Sequence, residues 1–145
     1  MSRSGNSRIR LFLDANILIS SAWKDGSKVV RLWQIPNVEL ITSNYVLTEC
    51  IRNLPGKDRQ DRLNRLMLTV RLISFQKVPL LADSPDLPEK DRHVLAAAVL
   101  SRSDFLVTGD RNHFGAWYGQ TLAGIRVEPP ARFPEILSEG TESSS

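Results

Sequence analysis

The amino-acid sequence predicts a three-layer α/β/α sandwich with a mainly parallel central sheet. Two observations carry that prediction. Short apolar runs of strand length alternate with longer segments of helical period, and the 145 residues, 41% of them hydrophobic, suffice for one compact core. Such alternation implies crossover connections, which place helices on both faces of a parallel sheet. No internal repeat and no linker rich in Gly, Pro or Ser divides the chain. One domain is therefore expected over residues 8–137, between a flexible N-terminus at 1–7 and a disordered Ser-rich tail at 138–145.

The first element is Ile9–Leu13, a continuous apolar run of the kind that forms a buried strand, followed by helical segments at 16–23 and 27–33. A second strand is expected at 38–41, and then a helix over 44–54 that Ser43 can cap. After the Pro55-Gly56 turn, Leu63, Leu66, Met67 and Val70 recur at i, i+3, i+4 and i+7, which predicts a helix over 58–72 with Asp58 or a neighbour as its cap. A weaker strand candidate at 72–78 belongs at a sheet edge if it forms. The 79–88 loop beyond it holds Pro79, Pro85 and Pro88, which interrupt regular structure. The string HVLAAAVL marks a helix over 89–101, with Asp86 as a candidate cap. Strands are expected at Phe105–Val107 and 125–127, and a last helix at 131–137.

Composition removes several function classes. No apolar run approaches the roughly 18 residues of a membrane span, and MSRSGNSRIR lacks the apolar core of a secretory signal, so a soluble cytoplasmic protein is expected. Cys50 is the single cysteine; with Val46, Leu47 and Ile51 beside it, it reads as a buried core thiol. His93 and His113 make no zinc spacing with it or with each other. Nucleophile-elbow, Walker and dinucleotide glycine motifs are missing. A net charge of +3 is compatible with a nucleic-acid partner without requiring one.

The carboxylates are more informative. Asp14 directly follows the first strand, and Asp110 follows Phe105–Val107 after Thr108 and Gly109. Both therefore sit at carboxyl ends of strands, the edge at which open parallel sheets bind ligands. Glu49 lies within the helix of YVLTECIRNL. Asp91 shares i, i+3, i+4 and i+7 spacing with Val94, Leu95 and Ala98, which sets it beside an apolar helix face. A buried, unpaired carboxylate costs several kcal/mol, so acids so placed usually have a cation or a hydrogen-bond network. Taken singly, each acid could be a helix cap, a turn residue or one member of a surface ion pair; Asp14 could cap a helix and Asp110 could form an Asx-turn.

Taken together, LFLDANILIS, SNYVLTECIRNL, DRHVLAAAVL and VTGDRNHF resemble, in order, the acidic motifs of the PIN domain, a nuclease fold of toxin–antitoxin systems and RNA-processing factors. The resemblance implies catalytic and metal-ligating roles for Asp14, Glu49, Asp91 and Asp110, with Asn16, Thr108, Asn112 and His113 supporting. It also implies hydrolysis of RNA dependent on Mg²⁺ or Mn²⁺, a homodimer, and often a small antitoxin partner. Oxygen-only ligands favour such hard cations, and four carboxylates carry about the charge that two divalent ions neutralise. Arg111-Asn112-His113 lacks the further acid that some members place after the fourth. Candidate RNA-binding cations are Lys24, Arg52, Arg59, Arg62 and Arg111, with Lys28, Arg31, Lys57 and Arg65 as further candidates; many of the nine are expected to be solvated helix faces only. Trp23, Trp117 and Tyr118 read as core or dimer contacts more readily than as base stackers. The competing functions are a PIN-fold RNA-binding or interaction module without turnover, a nuclease acting on DNA, and a phosphatase. The last wants a second Asp where Asn16 stands.

Overall fold

The computed structural model describes residues 8–23, 28–77 and 87–133. Lys24, the Asp86 cap, most of the 79–88 loop, both expected tails and the end of the 131–137 helix lie outside the described residues. Among the described residues six strands form one sheet: β1 (Ile9–Leu13), β2 (Val38–Ser43), β3 (Val70–Ile73), β4 (Phe105–Val107), β5 (Thr121–Leu122) and β6 (Ile125–Glu128), in the order β3-β2-β1-β4-β6-β5. All pairings are parallel except β5 with β6, a hairpin turned by Ala123 and Gly124, both at positive φ. Helices α1 (Ala15–Trp23), α2 (Asn44–Arg52), α3 (Lys57–Met67), α4 (Glu89–Leu100) and the single turn α5 (Arg111–Phe114) connect them. Helices α1 and α3 pack on each other, while α4 packs over β2, β4 and β6. The path leaves β1 toward β2 and β3, then returns across the sheet to β4, so right-handed crossovers put α1 and α4 on opposite faces. The predicted three-layer α/β/α class holds.

Phe12, Leu13, Ile41, Leu95, Leu106 and Val127 are fully enclosed at the centre of the core. The central strands β1 and β4 are continuous apolar runs because both faces are covered. Ser43 caps α2 as predicted, its hydroxyl accepting from Val46 N at 3.2 Å. Cys50 is buried, and burial pushes its thiol up to about 12. It is expected to react with a disulfide reagent such as DTNB only after unfolding; stoichiometric labelling of the native protein would contradict its placement.

Three predicted elements differ. The 58–72 helix ends at Met67, and Val70, assigned by period to its buried stripe, begins β3. The apolar sequence runs on, but Leu68 is 83% exposed, and pairing of Leu40 with Val70 draws the segment into the sheet as its edge strand. Asp58 does not cap α3: Gly56 holds that position at φ 89°, a left-handed conformation that suits glycine, and Asp58 lies in the first turn where it complements the helix dipole. The 27–33 helix is a 3₁₀ segment, Lys28–Gln34, and a 3₁₀ turn, Pro130–Arg132, occupies the start of the 131–137 helix. Among the described residues no helix is long and apolar enough to cross a membrane.

Candidate metal centre

Strands β1 and β4 are neighbours whose onward connections diverge, β1 toward β2 and β4 toward β6, so a crevice opens between their carboxyl ends. Asp14 and Asp110 border it. Asp14 N donates to Val107 O at 3.0 Å, which extends the β1–β4 pairing to the acid itself. The Asp14 carboxylate accepts from Ala15 N at 2.8 Å, Asn16 Nδ2 at 3.1 Å and the Thr108 hydroxyl at 2.9 Å. These three donors hold it rigidly. Burial nevertheless raises its pKa, the hydrogen bonds from Thr108 and Ala15 oppose the shift, and nearby Glu49 and Asp91 add to it.

Asn16 ties the two strand ends together. Its Nδ2 reaches both Asp14 and Thr108 Oγ1, while its Oδ1 accepts from Gly109 N at 2.7 Å. A Cβ at position 109 would come 3.3 Å from that Oδ1, so glycine permits the close approach. Thr108 Oγ1 also accepts from Asp110 N at 3.1 Å, and Tyr118 donates to Thr108 O at 2.9 Å. Thr108→Val is expected to cost about 1–2 kcal/mol of stability, measured by denaturant unfolding, because two donors lose their acceptor inside the site.

Asp110 caps α5, its Oδ1 accepting from His113 N at 3.2 Å. That turn brings His113 Nδ1 to 3.0 Å from Asp110 Oδ2 and 2.8 Å from Asp91 Oδ2. Asp91, in the first turn of α4, is buried beside the apolar face its spacing predicts. Its pKa is raised, foremost by burial; His113 counters the shift and Asp110 reinforces it. Among the described residues Asp91 Oδ2 accepts no hydrogen bond and faces His113 Nδ1 at 2.8 Å, so the charge of this buried carboxylate calls for a cation beside it, either a protonated His113 or a metal ion.

Asp91, Asp110 and His113 each present a ligand atom within 4.8 Å of the others. Two carboxylates and an imidazole in a cleft lined by Asp14, Glu49, Asp91 and Asp110 are a donor set that fits a divalent ion. The cleft encloses about 230 Å³. All four predicted acids therefore line one cleft, and Asn16, Thr108 and His113 support it. Asn112 is exposed, and no contact among the described residues ties it to the carboxylates. Sequence reasoning missed Lys90, whose ammonium group pairs with Glu49 of another helix; no local pattern in the sequence signals that pairing.

The proposed RNA-binding cations divide. Arg52 lines an adjoining groove of about 410 Å³ with Tyr45, Glu49, Lys90 and His93, and Arg111 is exposed directly after Asp110. Arg59 and Arg62 instead donate to Trp23 O and Ala22 O, capping the far end of α1, whose nine residues lead about 13 Å away from Asp14. Arg59 also stacks over Trp23, 3.8 Å from the ring centroid. Glu128, buried at the end of β6, pairs with Arg126 at 2.6 Å and does not line the acid cleft.

No curated protein matches the chain. Among solved structures, a chain of Rickettsia felis VapBC2, bound to a DNA fragment from their promoter, superposes with a TM-score of 0.61 at 15% identity, covering 83% of this chain and 98% of its own. VapC20 of Mycobacterium tuberculosis, described as a sarcin–ricin loop cleaving toxin, superposes with a TM-score of 0.51 at 19% identity, covering 80% of this chain and 98% of its own. At that identity the likeness establishes the fold. The PIN-domain family model matches residues 10–112, most of the chain and all four acids, and the chain belongs to the PIN-domain family.

Proposed function

We propose that the protein is a ribonuclease dependent on Mg²⁺ or Mn²⁺, the toxin of a toxin–antitoxin pair, acting in the cytoplasm as a homodimer held in check by a small antitoxin. The observation that carries the metal-dependent nuclease reading is the convergence of Asp14, Glu49, Asp91 and Asp110 on one cleft with an undonated carboxylate oxygen at Asp91. PIN membership and the toxin name borne by VapC20 support the toxin assignment.

Asp14 and Asp110, fixed by strand-end hydrogen bonds, act as the rigid ligands, Asp91 completes the oxygen set, Glu49 borders it across the cleft, and His113 orients Asp91 and Asp110. A bound divalent ion supplies Lewis-acid activation of water and neutralises charge on the phosphate. The Asp14–Asn16–Thr108 network keeps the carboxylate oxygens aimed into the cleft, so little reorganisation is needed on binding. Arg52 and Arg111 flank the acids and offset their repulsion of the RNA backbone.

The test is incubation of purified protein with labelled RNA or DNA in Mn²⁺, Mg²⁺ or EDTA. Cleavage of RNA that EDTA stops is expected. Cleavage that survives EDTA would refute metal dependence, cutting confined to DNA would make the protein a deoxyribonuclease, and RNA binding without turnover would leave a recognition module.

A further inference from the structure

We propose that Lys90 is an internal cation of the acid cleft, neutralising Glu49 so that the wild-type cleft accepts one divalent ion instead of two. The inference rests on the metal-dependent reading above. Lys90 stands on the first turn of α4 and reaches across to α2, where its Nζ contacts Glu49 Oε1. Among the described residues lining the acid cleft it alone is a lysine or arginine.

A surface lysine–carboxylate pair is ordinarily weak and replaceable. This one differs because Glu49 is half-buried and shares its cleft with three further carboxylates. The remaining acids have other partners: Asp14 accepts three hydrogen bonds, and Asp91 and Asp110 converge on His113. The ligand atoms thus separate into a compact group around Asp91, Asp110 and His113, and a Glu49 carboxylate already matched by an ammonium group.

Charge leads to the same count. With Lys90 present, the four carboxylates of the cleft carry a net charge of about minus three. A first divalent ion leaves a small negative charge, whereas a second would make the cleft positive. Removing the lysine restores the charge that two ions neutralise and frees Glu49 as a ligand.

Mn²⁺ binding to the full chain can be counted from the electron paramagnetic resonance signal of the free ion. Wild type and Lys90→Arg are expected to bind one Mn²⁺. Lys90→Met is expected to bind two, the first about tenfold tighter than in wild type. The Lys90 side chain is 63% exposed, so its loss leaves the core intact, and Lys90→Gln, which removes the same charge, should behave like the Met variant. Thermal unfolding separates this role from a merely structural one. In EDTA, Lys90→Met should melt below wild type, and saturating Mn²⁺ should close that gap, whereas a structural lysine would leave the same deficit in both.

Two ions in wild type, or stoichiometry and affinity unchanged in both charge-removing variants, would overturn the role given to Lys90 while leaving the metal-dependent nuclease in place. A wild-type chain that binds no Mn²⁺ would overturn both.

Discussion

Asp14→Asn is expected to reduce metal-dependent RNA cleavage by about a thousandfold or more, and Asp110→Asn to do the same, while the circular-dichroism spectrum of each stays that of wild type. The substitution is nearly isosteric and removes one charge. At position 14 the retained carbonyl can still accept from Ala15 N, the Thr108 hydroxyl can turn to accept from the new amide, and relief of repulsion among the four acids offsets the lost contact with Asn16 Nδ2. At position 110 asparagine is as good a helix cap as aspartate and can still accept from His113 N. Neither change opens a cavity, so the melting temperature in EDTA should move by no more than about 5 °C. What is lost is a charged oxygen ligand on each of the two most rigidly held positions of the cleft. Single-turnover cleavage of labelled RNA measures the effect, and wild-type rates in both variants would remove these acids from the mechanism.

The second large effect is on stability. Saturating Mn²⁺ at pH 7.5 should raise the melting temperature by about 10 °C relative to EDTA, because an ion at a hundred times its dissociation constant contributes about 2.7 kcal/mol to a domain of this size. The pH dependence of the two forms should have opposite signs. Burial raises the pKa values of Asp14 and Asp91 in the folded state above the ordinary 3.8. Between that value and the raised ones the folded chain holds more protons than the unfolded chain. These two groups therefore make the metal-free protein more stable as pH falls from neutral through that window. Protonation of the same carboxylates expels the metal, so the stabilisation by Mn²⁺ should shrink over the same range. Melting curves from pH 7.5 downward, with Mn²⁺ or EDTA, provide the measurement. A Mn²⁺ shift that stays constant over the whole pH range in which the chain remains folded would show that these acids are not ligands.

The central strands were legible because burial on both faces makes them unbroken apolar runs; the bounds of β1 and β4 are those the sequence indicates. Edge elements were harder. From Leu63 to Leu72 the apolar residues fit a helical period, and only the pairing of β3 with β2 decides that the chain extends after Met67. The two-residue β5 and the four-residue α5 are too short to show any period. The placement of Asp14 and Asp110 followed from strand-end chemistry, and the burial of Asp91 from its helical spacing. That Glu49 joins them is a tertiary fact: α2 must bring it to α4, and no local pattern encodes that meeting. The pairing with Lys90 was hidden for the same reason, since KDRH at a helix start reads as ordinary solvated charge.

The clamp between the ends of β1 and β4 also bears on when the site comes into being. Thr108 and Asp14, joined at 2.9 Å, are 94 residues apart in sequence, and β1 meets β4 only after β2, β3 and four helices have been made. Pairing over such a separation is entropically slow. During vectorial synthesis the emerging polypeptide carries Asp14, Glu49 and Asp91 well before the segment that brings Asp110, Thr108 and His113 to them. A ribosome-bound fragment that stops before β4 should be unable to assemble the cleft, which delays its chemistry until nearly the whole domain has been translated and has collapsed around its last central strand.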